Sequence, residues 1–481
     1  MILQRLYCAV LNPIGRQTQK LSEGARDAVV FVAFFLLMAF NVIYASFEQI
    51  WWGGVLWGLY YDPVKTMMIG SVLILVAAVF SIQGELKPLK LNWIFVVIFC
   101  VAFALIFAAG SLHYVGGGYR IFPLITVFIF PALFLVIGNS DDAHRIYRLL
   151  AWAVCVAGLV VFVLSILTAP NQSADRYQGM TGNPNALGFN TVAYFAGAFY
   201  LLLTERGWRI VFPAVCAAGN FGMLFLSGSR ASLLCACGVF ICAMAMLIKG
   251  GWQKEGGGVR TARAVVCIAI IVLAIPFTQF ALSNPNPVDM NANSPFQWHR
   301  DNQPTPYPPV AGETKKPAKP PSTGQTGASG SVSKPGEAAA QTPGLWKSLN
   351  KISSGRLDGW KVFLSKVTLK GTDPSAEKIW VNGVLFPGAH NAAIDIAYRC
   401  GAFAGIFYFL LLASTFFFVL RRTFSRKRFS PYTLFPCIGI ASYLGVSMLD
   451  LPIMPFDATS ALLFFLSLSP MVFLRKKLPT I

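Results

Sequence analysis

Charge is what this sequence has least of. Asp, Glu, Lys and Arg make up 12% of the 481 residues, against 55% apolar residues. A soluble domain of this length would lack the polar surface to cover its core. The ten-residue alternating segments of a membrane β-barrel are also missing. Cysteine is absent from the one long polar stretch, residues 283–391, so no disulfide framework holds it. Cys8 lies near the start, and Cys100, Cys155, Cys216, Cys235, Cys237, Cys242, Cys267, Cys400 and Cys437 sit within or beside apolar runs, as small hydrophobes do. There are four histidines, and no HExxH, P-loop or metal-ligand spacing. Neither a metal nor a cofactor is expected. Nucleic-acid motifs are lacking too, so the net charge of +19 points to membrane topology and not to a nucleic-acid partner.

What is there is a series of apolar runs near twenty residues long. They predict an all-α integral membrane protein with twelve spans, at about 27–46, 66–83, 92–112, 120–138, 148–168, 186–203, 209–226, 231–248, 263–282, 392–420, 432–449 and 460–474. The division expected is 1–282 with spans one to nine, a loop over 283–391, and 392–481 with spans ten to twelve. With the N-terminus inside, the inner segments carry 22 Lys and Arg residues, whereas the short outer loops carry only Lys65, Arg120, Arg176 and Arg230. That asymmetry predicts both termini in the cytoplasm and the long loop outside. Residues 1–26 read as a polar lead-in and the first span as a retained anchor. Within the loop, 302–344 is a low-complexity run of Pro, Gly, Ser, Thr, Ala and Lys, predicted to stay disordered. From 345 to 370, Trp346, Leu349, Ile352, Leu357, Trp360, Val362, Phe363 and Leu364 recur at roughly helical intervals and predict one or two amphipathic helices on the outer side of the bundle.

Four basic side chains then fall beside span ends on the outer face: Arg176, Arg230, Arg356 and His390. Singly, a loop arginine is ordinarily a membrane-surface anchor, and a histidine at a span mouth an interfacial polar group. Together, guanidinium groups make planar, paired contacts to phosphate oxygens. Converging arginines would hold a diphosphate headgroup and stabilise it as a leaving group. His390 is then the candidate general base, with the Asn391 amide placed to orient an incoming hydroxyl. Asp395 and Arg399, four apart in the tenth span, read as a structural ion pair. Asp450 and Asp457, beside Pro452 and Pro455, read as a turn, with acceptor binding a remoter role.

On these residues the chain resembles the O-antigen ligase and polymerase superfamily of bacterial envelope glycan assembly. The matching pieces are Arg176 with Gly182-Asn-Pro-Asn185, Leu226-Ser-Gly-Ser-Arg-Ala-Ser232, Ser354-Gly-Arg-Leu-Asp-Gly-Trp360, and His390-Asn391 followed by Gly401 and Gly405, in that order over roughly 150–420. Arg399 stands where the family often has an acidic residue, and 302–344 lengthens the loop. The resemblance implies a GT-C-like, metal-independent, inverting glycosyltransferase in the bacterial inner membrane, with a periplasmic active site. Its donor would be an undecaprenyl-diphosphate-linked glycan and its acceptor lipid A–core oligosaccharide or another glycan, among membrane lipids. By that likeness Arg230, Arg356 and His390 are catalytic, and Arg176, Asn183, Asn185 and Asn391 contact substrate. Ligase activity in lipopolysaccharide biosynthesis is favoured over polymerase or protein O-oligosaccharyltransferase activity. The non-enzymatic alternative is a flippase for the same lipid-linked sugar, against which the two halves show no repeat.

Overall fold

The computed structural model describes residues 2–39, 63–112, 118–168, 176–181, 183–249, 257–283, 355–373, 379–381, 384–386, 388–425, 431–450 and 452–474. Among these, nine helices are long and apolar enough to cross a membrane, which makes the chain a multi-pass, all-α membrane protein. They include α4 (Trp93–Leu112), α7 (Ala143–Thr168), α8 (Pro184–Thr204), α9 (Val211–Leu226), α10 (Arg230–Lys249), α11 (Gly257–Ala281), α14 (Ala402–Phe424) and α15 (Pro431–Leu449). The ninth is the consecutive pair α5 (Gly118–Phe128) and α6 (Phe130–Asn139). Two expected spans are shorter apolar helices: α3 (Pro63–Phe80), and α16 (Thr459–Leu466) followed by α17 (Ser469–Val472). The expected first span begins as α2 (Glu23–Ala39), and its second half lies outside the described residues.

α8 is the centre of the bundle. Every residue from Leu187 to Thr204 is buried, and α7, α9, α10, α15 and α16 all pack on it. Glycine permits the closest of these approaches. A Cβ on Gly188 would fall 2.6 Å from Ser229 Cβ, and one on Gly158 would fall 2.6 Å from Tyr194 Cβ. Ion pairs mark one end of the bundle, where Arg145 holds Glu23 and Asp27, and Arg148 holds the buried Glu205. The other end carries residues 176–185, 227–230 and 450.

The tenth span is not one helix. It breaks into α13 (Ala392–Cys400) and α14 at Gly401, whose φ of +98° is open to glycine alone. The cause is tertiary: a Cβ on Gly401 would sit 2.3 Å from the Leu369 carbonyl oxygen, and one on Gly371 2.2 Å from that of Arg399. The strand of chain 368–372 fills the break and takes up its backbone groups, with Ala402 N–H donating to Thr368 O and Thr372 N–H to Tyr398 O, both at 2.9 Å. A broken helix in a membrane protein needs this kind of replacement.

Outside the bundle proper, α12 (Arg356–Ser365) and a hairpin of β2 (Ile379–Val381) and β3 (Val384–Phe386) pack on α13. Phe363, Ile379, Val381, Ala389 and Tyr398 form their small core, with the Phe363 and Tyr398 rings edge to face at 5.1 Å. The low-complexity run and the first part of the expected amphipathic stretch, through residue 354, lie outside the described residues. The hairpin was not expected. Residues 2–26, read as a polar lead-in, instead form helix α1 (Ile2–Thr18) and the start of α2. A second two-stranded pair, β1 (Lys90–Leu91) with β4 (Phe473–Leu474), lies at the ion-pair end.

Candidate active site

Arg176, Arg230, Arg356 and His390 lie up to 214 positions apart in sequence, yet the fold draws them together. Arg356 opens α12 behind Gly355, whose φ is +79°. Its guanidinium donates to Asp450 Oδ2 at 3.4 Å. The other oxygen of the same carboxylate is 3.3 Å from His390 Nδ1. Asp450 ends α15 and is nearly buried, with 9% of its side chain exposed. It was read from sequence as part of a turn. Here it bridges the candidate base and a candidate diphosphate ligand, a role its separation of 60 and 94 residues from the two partners concealed.

Burial lowers the proton affinity of Arg356 most, the Asp450 carboxylate opposes that, and the charges of Arg176 and Arg230 lower it further. So three guanidinium groups share one field. Arg230 and Arg356 are also the first residues of their helices, the end where the helix dipole is positive and a cation is unfavourable. α8 and α13 bring two further N-termini to the same neighbourhood, capped by Asn183 and Asn391. Among the described residues, three arginines and four helix N-termini face the Asp450 carboxylate, with Asp358 in the first turn of α12 and Asp395 one contact behind His390. Positive charge gathered in this way could hold an anion.

The supports are specific. Arg176 donates through Nε to Ser227 O and through a terminal nitrogen to Asn185 Oδ1, both at 2.7 Å, and so ties the loop before α8 to the turn before Arg230. That turn needs Gly228, where φ is +60° and a Cβ would be 3.2 Å from Arg176 Nε. Arg230 itself is exposed. His390 has a φ of +49°, the one left-handed non-glycine among the described residues, a conformation that costs about 1–3 kcal/mol. Three contacts hold it there. Ala389 N–H donates to Asp395 Oδ1 at 3.1 Å, Asn391 Oδ1 accepts from Ile394 N–H at 3.1 Å, and the Phe386 ring meets the imidazole edge to face at 5.8 Å. Asp395 in turn pairs with Arg399 at 2.6 Å, the ion pair expected from their spacing.

The asparagines expected to contact substrate make defined bonds within the chain. Asn183 Oδ1 accepts from Asn185 N–H and Ala186 N–H, Asn185 is the partner of Arg176, and the Asn391 amide also donates to Met448 O at 3.1 Å. Each positions a charged neighbour or a helix end. Gly182 and Ser354 of the sequence motifs lie outside the described residues. A cavity of about 480 Å3 among Leu202, Glu205, Arg206, Val259, Arg263 and Val266 lies at the opposite end of α8, about 30 Å away by helix rise, and belongs to no part of this cluster.

With Nδ1–H donated to Asp450, the imidazole presents a lone pair on Nε2, the tautomer a general base needs. Comparison with family models, with curated proteins and with solved structures returns no match.

Proposed function

We propose that the chain is a glycosyltransferase of the O-antigen ligase type, moving a glycan from undecaprenyl diphosphate to lipid A–core oligosaccharide at the periplasmic face of a bacterial inner membrane. The observation that carries this reading is the joint placement of three arginines and an Asp450–His390 pair at one end of a membrane bundle. A lipid diphosphate brings both the negative charge this cluster lacks and a tail that belongs between helices.

His390 Nε2 takes the proton of the acceptor hydroxyl as that oxygen bonds to the anomeric carbon of the donor. The bond from that carbon to the diphosphate oxygen breaks on the opposite face, and its electron pair leaves with the diphosphate. Arg230 and Arg356, the first residues of their helices, meet the growing charge on the leaving oxygen. Arg176 holds the two loops in register. Asp450 keeps Nδ1 protonated and balances the imidazolium formed in the step.

The test is transfer by purified protein between a lipid-linked glycan and lipid A–core oligosaccharide. The wild type should form the product and His390→Ala should lose it. Normal transfer by His390→Ala would sink the mechanism. Deleting the gene separates the acceptors: loss of a ligase leaves finished polymer on the carrier lipid, whereas loss of a polymerase leaves core capped with a single repeat.

A further inference from the structure

α1 is amphipathic the wrong way round for a helix packed on a protein in water. Four of its polar residues, Gln4, Tyr7, Asn12 and Thr18, face the bundle. Gln4 Oε1 accepts from Leu89 N–H at 2.7 Å, and the Asn12 amide pairs with both backbone groups of Leu86 at 2.8 and 3.2 Å. Thr18 donates to Val79 O at 3.4 Å, and Gly15 packs directly on Ile82. The Tyr7 hydroxyl donates to Phe128 O at 2.5 Å, at the junction of α5 and α6. Its apolar residues face out: Ile2, Leu6, Val10 and Ile14, spaced by four, are 86%, 56%, 52% and 44% exposed. Helix spacing by four puts them on one stripe.

The same helix and the turn after it, residues 2–22, contain no Asp or Glu, while Arg5, Arg16 and Lys20 are exposed, Arg16 within 3.5 Å of the exposed Glu85. α1 contacts residues 79–89, next to Asn139 and the Glu23–Asp27–Arg145 ion pairs. That places it at the end of the bundle opposite the arginine–histidine cluster, the end whose charge asymmetry reads as cytoplasmic.

We propose that α1 lies in the membrane surface at that end, its Ile2–Leu6–Val10–Ile14 stripe in the acyl boundary and Arg5, Arg16 and Lys20 on anionic lipid headgroups. Only an interface offers both partners at once, apolar on one side and negative within a side-chain length of it. A second copy of the chain fits less well, because the stripe is one residue wide and exposes roughly 400 Å2, half of the roughly 800 Å2 a stable partner buries. Through Gln4, Asn12 and Tyr7, the lipid surface then braces the α3–α4 connection and the α5–α6 junction.

The experiment uses the full chain in nanodiscs of phosphatidylcholine alone or with phosphatidylglycerol added, with a benzophenone amino acid replacing Val10 or, as a second position, Ile14. Irradiation should give lipid adducts at both positions. Phosphatidylglycerol should be over-represented at least about fivefold relative to its share of the bilayer, the partition gain of a single surface cation. Replacing Arg5, Arg16 and Lys20 together by Gln should abolish the enrichment while the adducts remain. A cross-linked dimer or no lipid adduct at either position would overturn the proposal. Enrichment that survives the triple substitution would overturn the role of the basic residues.

Discussion

Asp450→Asn separates the two jobs of the arginine–histidine cluster. The change keeps the side chain's volume and removes the charge shared by Arg356 at 3.4 Å and His390 at 3.3 Å. A unit pair at that distance is worth about 5 kcal/mol gross at an effective dielectric near 20. The partners are about a fifth exposed, and a charge-assisted hydrogen bond nets about 2–3 kcal/mol. Since the carboxylate matters most once the imidazole is charged, that loss falls on the transition state and lowers kcat about 30- to 150-fold. Donor binding moves the other way. Three guanidinium groups no longer offset by a carboxylate hold a diphosphate at least as well, so the donor KM should stay level or fall. Steady-state kinetics with varied lipid-linked donor reads both. Adding Asp450→Asn to His390→Ala should cost less than about threefold more, because the carboxylate acts through the imidazole. A wild-type kcat, a rising donor KM, or losses that simply multiply would refute this reasoning.

Arg230→Ala and Arg356→Ala should each lower transfer by about two to three orders of magnitude, and Arg356→Lys should restore only part, because a point charge lacks the planar fork; rates with saturating donor check both. Gly401→Ala forces a side chain to φ +98° and to 2.3 Å from Leu369 O, so it should destabilise by more than about 4 kcal/mol, seen as loss of a monodisperse peak in detergent. Asp395→Asn removes the buried charge paired with Arg399 and turns an amide NH2 toward it, while Oδ1 can still accept from Ala389 N–H. It should cost about 3–5 kcal/mol in thermal unfolding, and Asp395→Asn with Arg399→Gln should cost less than the single change. Deleting 303–343 should leave transfer nearly intact in a protein that still inserts.

The nine crossing helices among the described residues were legible because crossing a membrane depends on a sum over about eighteen residues, which a sequence displays. What happens at single positions does not. Gly401 sits in an apolar run that any window reads as continuous, and the break follows from the Leu369 carbonyl arriving from 32 residues away. Asp450 beside two prolines looks like a turn until Arg356 and His390 reach it. Two features were visible and passed over. Asn382-Gly383 stands between the paired Val381 and Val384, the dipeptide that ordinarily joins two strands. Ile2, Leu6, Val10 and Ile14 already show a helical stripe in the segment read as polar. The site arginines were legible as charges on one face, because short outer loops carry so few others, but their helix-start positions were not.

Those positions explain why the cluster is so heavily braced. Arg230 and Arg356 oppose their own helix dipoles, Arg176 repels both, and His390 holds a left-handed backbone. Left to local preference, each would turn away, since an arginine in a free loop points to water. Two are prevented by bonds made elsewhere: Arg176 by Ser227 and Asn185, and His390 through Ala389 and Asp395. Strain held by distant partners is the arrangement that binds charge without reorganising, because the work of gathering the cations is done on folding. A dianion entering such a site relieves repulsion already present. For the same reason, substitutions at the braces should reduce transfer and stability together, whereas Arg230, exposed at the mouth, should lower transfer with little loss of stability.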